Sequence, residues 1–465
     1  MIKSIIFKIF LIVIVLSGDS FAKTVGDVDI RNSVLANYPL ILSAYDKVES
    51  SQGKVKSAQG IFDIRLKQEF FNYSRGFYDG RISKTTIERQ NQFLGSKVYG
   101  GYRKSSDDFA SYDGNYNTNK NGEFFAGVNI PLLQGRSIDQ NRLGTMLAQY
   151  GFEESKINLE NIKIKIQKDA LKAYWNWISA AKTYEIYKDL YQLSLTRDTQ
   201  LRKRQKKGDI AKIIVIENKK NLLTRKNDMI RARTDFQNSA IYLSLFYRDL
   251  DGKQLKLEKE NIPKISFNTS LDGFSNSNLV NDTIEAVNNR AEIKILRVNK
   301  LKQKANLKYA KNLFQPKLDV NLEASKDSGS GPDSLTQSRN SVGMKLSIPL
   351  QFSQARGKTT EAIKKLSSLS YEEKIIQEQI KTEMQQIHIS IINDAEMLNN
   401  LKEEVLLAET LERAERKRFR FGSSNFFVVN LREQISANTK IRKIIAWQKL
   451  QNFKADYNAA RFRFN

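Results

Sequence analysis

The chain has 465 residues, no cysteine, a single histidine and a formal charge of +25. Without cysteine there is no disulfide framework, no Cys-bearing zinc site, no iron–sulfur cluster, no thiol nucleophile and no lipid-modified cysteine. A lone His388 makes neither a multi-His metal site nor a His relay, and no carboxylate pair stands out, so the sequence argues against an enzyme, a metal site and a cofactor.

Residues 1–22 read as a secretory signal peptide. Lys3 and Lys8 are its basic residues, Ile9 to Leu16 is an unbroken apolar run, and Ser20-Phe21-Ala22 is a small-x-small cleavage site. Removing Lys3, Lys8 and Asp19 leaves 25 − 1 = +24, so the charge belongs to the exported part. A helical stretch over about 27–60 follows. Residues 63–132 then hold β-like alternation, with Ile64, Leu66 and Phe70 set against Arg65, Lys67 and Glu69, returning on Phe124, Ala126, Val128 and Ile130. Residues 70–125 contain thirteen aromatics among 56 residues, of the kind that girdle membrane barrels.

A proline-free helix is predicted over about 138–206, with Leu, Ile and Ala at three- and four-residue spacing. At 1.5 Å per residue it reaches about 100 Å, so it needs packing along its length, as in a coiled coil. A glycine-containing turn at 207–210 leads to a helix over about 211–246. Gly252, Pro263 and Gly273 mark 249–278 as a linker.

The grammar then repeats: a helix over about 281–313, a hairpin over about 316–350, a long helix over about 354–420, a turn at 421–424 and a helix over about 426–460. Leu318, Val320, Leu322 and Ala324 alternate with Lys317, Asp319, Asn321, Glu323 and Ser325. Val342, Met344, Leu346 and Ile348 alternate with Ser341, Gly343, Lys345 and Ser347. Residues 202–208 match 416–422 at an offset of 214, Val128-Asn129-Ile130-Pro131-Leu132 matches 346–350 at 218, and Val55, Ala58, Phe62 and Leu66 match Leu307, Ala310, Phe314 and Leu318 at 252. The chain is thus two repeats, 23–248 and 279–465, around the linker. The drop from 252 to 218 puts 34 extra residues between 66 and 128 of the first. They read as extracellular loop or barrel-mouth material, with Val98 to Tyr102 as a further short strand.

Apolar-out, polar-in strands are what a membrane β-barrel with a wet lumen requires. The lipid-facing set is Leu66, Phe70, Phe124, Val128, Ile130, Leu318, Val320, Leu322, Val342, Met344, Leu346 and Ile348. Two hairpins give four strands per chain. Lipid tolerates no open sheet edge and single-chain barrels need at least eight strands, so several chains must share one barrel.

With these features the chain resembles the TolC family of outer-membrane efflux proteins. The layout, the Ile-Pro-Leu segments at 130–132 and 348–350, and the basic-Gly turns at 208 and 422 carry the resemblance. It implies a mostly α protein with a membrane β-barrel part: a trimer whose twelve strands form the barrel and whose helices form a periplasmic tunnel. It implies an outer-membrane location, and docking on a periplasmic adaptor protein and an inner-membrane pump, proton-driven or ABC type. Carried over, Lys207, Gly208, Asp209, Ile210, Phe421, Gly422, Ser423 and Ser424 are the adaptor-contacting tip. Relatives often carry an aspartate a few residues past each tip glycine; here Ile214 and Val428 stand there. Candidates for the inner aperture are therefore Lys206, Asp209, Glu217, Arg420 and Val428.

The tip is basic, with Arg202, Lys203, Arg204, Lys206 and Lys207 on one turn and Arg416, Lys417, Arg418 and Arg420 on the other. These cations either offset the helix dipoles, make a positive aperture, or dock an acidic adaptor tip. The leading function is a passive exit duct for a tripartite efflux pump or a type I secretion system, with no nucleic-acid partner. The alternative is an exported basic coiled coil that binds envelope polyanions.

Overall fold

The computed structural model describes residues 24–74, 79–106, 109, 117–267 and 271–464. Residues 1–22, read as a signal peptide, and the aromatics Phe77, Tyr78, Tyr112 and Tyr116 lie outside them. The chain forms two compact units, one of residues up to 39, 165–278 and 386–459, the other of 40–164, 279–385 and 460 onward.

Among the described residues the sheet-bearing unit contains six strands: β1 (Arg65–Tyr73), β2 (Gly80–Gln90), β3 (Lys97–Ser106), β4 (Glu123–Pro131), β5 (Lys317–Asp327) and β6 (Arg339–Ser347). They make one antiparallel meander in the order β1-β2-β3-β4-β5-β6. This corrects the expectation of four strands per chain. The 34 extra residues are not merely loop. They supply β2 and β3, which pair with β1 and β4 over nine and seven residues and with each other over ten. Local alternation hides β2 because the face it shares with Leu66 and Phe70 mixes Ser83, Thr85 and Ile87; only pairing to both neighbours makes it a strand.

The inner turn of this added hairpin is held to the strand-to-helix junction. Arg142 Nε donates to Asp139 Oδ2 at 2.7 Å, its Nη1 donates to the carbonyls of Gln92 and Arg136 at 3.4 and 3.1 Å, and its Nη2 bonds the Gly135 carbonyl. The same unit also holds α2 (Pro39–Gln59), the first part of α3 (Gln140–Lys206), most of α5 (Asn276–Asn289), α6 (Ala291–Asn312), the four-residue α7 (Asp333–Thr336) and the first part of α8 (Ser353–Arg420). Ile138, Leu143 and Ala305 form a core with Met146, Leu147, Tyr150 and Tyr309 against it.

Two helices expected to be single are each broken, at matching places. Helix α1 (Asp27–Asn37) ends before Tyr38, where Pro39 bars helical backbone in the residue ahead of it. Helix α5 ends before Arg290, which adopts an extended ψ of 140°. The two breaks lie 290 − 38 = 252 residues apart, the same offset as the surrounding repeat. Helix α5 also begins at Asn276, inside the stretch read as linker.

The other unit packs α1, the later part of α3, α4 (Lys212–Ser244), the later part of α8 and α9 (Phe426–Ala460). Tyr174 and Trp177 are fully buried, and the Tyr174 hydroxyl donates to the Val25 carbonyl at 2.8 Å. Trp175 meets Trp447 edge to face at 5.4 Å, so both tryptophans of the pair pack within the chain. His388 is buried with Nε2 3.0 Å from the Phe274 carbonyl, a helix-to-loop contact and not open surface.

Candidate functional site: the double-turn tip

Both long helices end in the same motif. After α3 the Asp209 N–H donates to the Arg204 carbonyl at 3.0 Å and the Gly208 N–H to Gln205 at 3.0 Å; after α8 the Ser423 N–H donates to Arg418 at 3.0 Å and the Gly422 N–H to Phe419 at 3.1 Å. This is the Schellman arrangement, and the two glycines stand at φ +82° and +75°. Nothing crowds a Cβ at either position, so glycine is required by its backbone alone. Gly208→Ala and Gly422→Ala are each expected to destabilise the turn by about 1 kcal/mol. Hydrogen exchange of residues 204–210 and 418–424 measures it; unchanged protection refutes it.

Lys206, Lys207, Gly208, Asp209, Phe421, Gly422, Ser423 and Arg420 are exposed, Phe421 by 76%. Ile210, Ser424, Glu217 and Val428 are half-buried. Ile210 and Ile214 turn inward with Phe419 against a core of Leu201, Val215 and Phe426. Ile214, which stands where relatives often hold an aspartate, is therefore a packing residue that joins the two turns. Among the nine tip cations, Arg202 pairs with Asp198 at 2.6 Å, Arg418 with Glu415 at 3.4 Å, and Arg416 with Glu412 and Glu433.

Behind the turns lies a polar network that the sequence reading missed. The Glu433 side chain on α9 has no exposed surface and accepts from Arg197 of α3 (2.9 Å, and a second bidentate contact), Arg225 of α4 (3.0 Å) and Arg416 of α8 (3.1 Å). Asn430 Oδ1 accepts from Arg197 at 2.6 Å, and Asn218 donates to Asp198 at 2.8 Å. One carboxylate thus ties all four helices together. Burial alone raises its pKa. The Arg197 hydrogen bond and the charges of Arg197, Arg225 and Arg416 override this and hold it below the ordinary glutamate range. Burial depresses Arg225, against the pull of Glu433.

A sequence signal for the network exists. Leu190, Ser194, Arg197 and Leu201 follow helical core spacing, as do Val215, Asn218, Leu222 and Arg225, and Phe426, Val429, Glu433 and Ser436. Polar residues at core positions of a coiled coil mark partnered positions that set register. The network is not repeat-symmetric. At the 214 offset Arg202 falls on Arg416, but Glu433 falls on Lys219 and Arg197 on Leu411.

The sheet divides its side chains by face. Paired residues run Leu66–Ile87–Gly100–Ala126–Ala324–Asn340 across one face. All twelve positions read as lipid-facing lie on this face, with Ile348 just past β6. Leu66, Phe70, Phe124, Leu322, Val342, Met344, Leu346 and Ile348 are exposed; Val128, Ile130, Leu318 and Val320 are half-buried. The opposite face carries Lys67 and Lys97 on Glu88 at 2.6 and 2.5 Å, Arg103 on Glu123, and the Tyr99 hydroxyl donating to Glu323 at 2.7 Å. Among the described residues no helix is long and apolar enough to cross a membrane.

No family model and no curated protein matches the chain. Solved structures do. The outer membrane protein VceC of Vibrio cholerae aligns with a TM-score of 0.67 at 14% identity, covering 94% of this chain and 96% of that one. The CmeC outer membrane channel of Campylobacter jejuni aligns at 0.64 and 11% identity over 94% and 85%. The open state of the MtrE outer membrane channel of Neisseria gonorrhoeae aligns at 0.62 and 11% over 94% and 89%. With near-complete coverage from both sides, the chain has the fold of the TolC-type outer-membrane channels.

Proposed function

We propose that the protein is an outer-membrane channel-tunnel: a homotrimer giving passive exit to the substrates of a tripartite efflux or type I secretion assembly. The observation that carries this is an open, two-edged sheet with an apolar exposed face. Every residue of β1 and nearly all of β6 are exposed. In lipid such edges must be paired. Edge β6 of one copy on edge β1 of the next closes the sheet, and three copies of six strands make 3 × 6 = 18 in place of the twelve expected from sequence. Uncovered apolar side chains on α8, such as Ile389 (58%), Leu406 (64%) and Leu407 (60%), supply helix faces for neighbouring copies.

In this reading the tip residues 207–210 and 421–424 meet a periplasmic adaptor, and an inner-membrane pump supplies the energy. Ile214 and Val428 carry no charge where relatives often hold an aspartate, and the exposed tip cations outnumber the acidic candidates Asp209 and Glu217. Purified protein is expected to migrate as a heat-modifiable trimer, to show an 18-strand barrel by electron microscopy, and to conduct in planar bilayers with a reversal potential that shows little cation preference. Strong cation selectivity refutes the aperture assignment. A water-soluble monomer that binds polyanions and does not conduct refutes the channel.

A further inference from the structure

We infer that the apolar face of the sheet binds an anionic lipid, with Lys326 and Lys104 holding its headgroup phosphates. The inference rests on the proposal that this face meets the membrane. The observation behind it is the sorting of charge between faces. The strands contain six carboxylates, Glu69, Glu88, Glu123, Asp319, Glu323 and Asp327, and the pairing register puts all six on the polar face. Within the described strands the apolar face holds Arg81, Arg89, Lys104 and Lys326 and no carboxylate. Membrane cost does not explain that choice of sign, because lysine and arginine on a lipid face cost at least as much as aspartate and glutamate. Attraction to anionic headgroups does explain it.

Position agrees with charge. Arg81, Lys104 and Lys326 all lie toward the strand ends away from the helix junctions; Lys326 is paired with Phe124 and Lys104 stands two residues from Tyr102, the two rings being 5.0 Å apart between centroids, while Arg81 lies further out opposite Ser106. That is the aromatic-plus-cation composition of a headgroup level. Lys326 also borders a groove of about 1130 Å³ lined mostly by residues of this face, among them Gly100, Ala126 and Ala324, with Glu88 and Tyr99 of the polar face also in its lining. The groove leaves room for an acyl chain below the cation. The occupant is therefore a phosphorylated, acylated lipid of the outer leaflet.

The test uses the full-length protein in phosphatidylcholine vesicles carrying either bis-phosphorylated or dephosphorylated lipid A, with retained lipid per protein counted by mass spectrometry after detergent extraction. The unaltered protein is expected to retain the phosphorylated form preferentially. Lys326→Gln and Lys104→Gln should each lower that preference about fivefold. Lys345→Gln, on the opposite face, should leave it unchanged. Equal retention of both lipids by a protein that inserts and conducts overturns the lipid site alone. Full displacement by inorganic phosphate overturns it in favour of a free-anion site. Failure to enter any vesicle overturns the channel reading beneath it. The two-lipid comparison on the unaltered protein needs no variant to fold.

Discussion

Glu433→Gln is expected to loosen the tip by about 3–5 kcal/mol, the usual penalty for removing one partner from a buried ion pair. The loss is large because Arg197, Arg225 and Arg416 all point at this side chain, which has no exposed surface. With a neutral amide in its place, the buried guanidiniums of Arg197 and Arg225 lose their carboxylate, and Arg416 keeps only Glu412. Hydrogen exchange over 194–201 and 426–436 should rise. In a conducting channel the single-channel conductance should rise with it. Adding Arg197→Gln should recover part of the loss, since it removes one of the stranded charges. Unchanged exchange in the single variant refutes a fastening role.

The same group sets a pH window. Its pKa is held below the ordinary value, so its contribution is present above the unfolded glutamate range and is lost only as pH falls through the lower, folded value. Tip protection should therefore be flat from pH 7 to about 5 and fall only below about 4, the unperturbed glutamate value. A loss of protection near pH 6 rules Glu433 out as its source.

Met344→Arg is the second large effect. Met344 is 69% exposed, so in a soluble sheet an arginine there costs little. On a lipid face at mid-depth it costs about 2–4 kcal/mol per chain. Membrane-fractionated, heat-stable oligomer should therefore drop steeply for Met344→Arg. Ser341→Arg, three residues earlier in β6 and on the polar face, should assemble normally. Equal assembly of the two refutes a lipid-facing role for this face.

Much of the architecture is legible without coordinates because it rests on local rules. Helical apolar spacing without proline marks the long helices. Strict alternation marks β5 and β6, and matching offsets mark the repeat. The glycines at 208 and 422 announce turns because left-handed backbone at a helix end favours glycine. What local rules miss is pairing. Strand β2, with polar residues on both faces, becomes a strand only between β1 and β3. The single helix expected over 281–313 is broken at Arg290, which lacks the proline that announces the matching break at Pro39.

The candidate site divides the same way. The tip turns and their cations are visible in sequence order. The hub at Glu433 shows only as polar residues at core positions; which of them meet does not show, because its contributing residues lie up to 236 positions apart. Read alone, the sequence determined the exclusion of thiol chemistry, the twofold repeat, the helix-and-strand alphabet and the two reversing turns, all consequences of composition and of periods of two and about 3.6 residues. Only the tertiary structure decided the strand count, the inward turning of Ile214 and the convergence of three arginines on one carboxylate. Those depend on which distant segments meet, and the free energy of such meetings is not written in any local window.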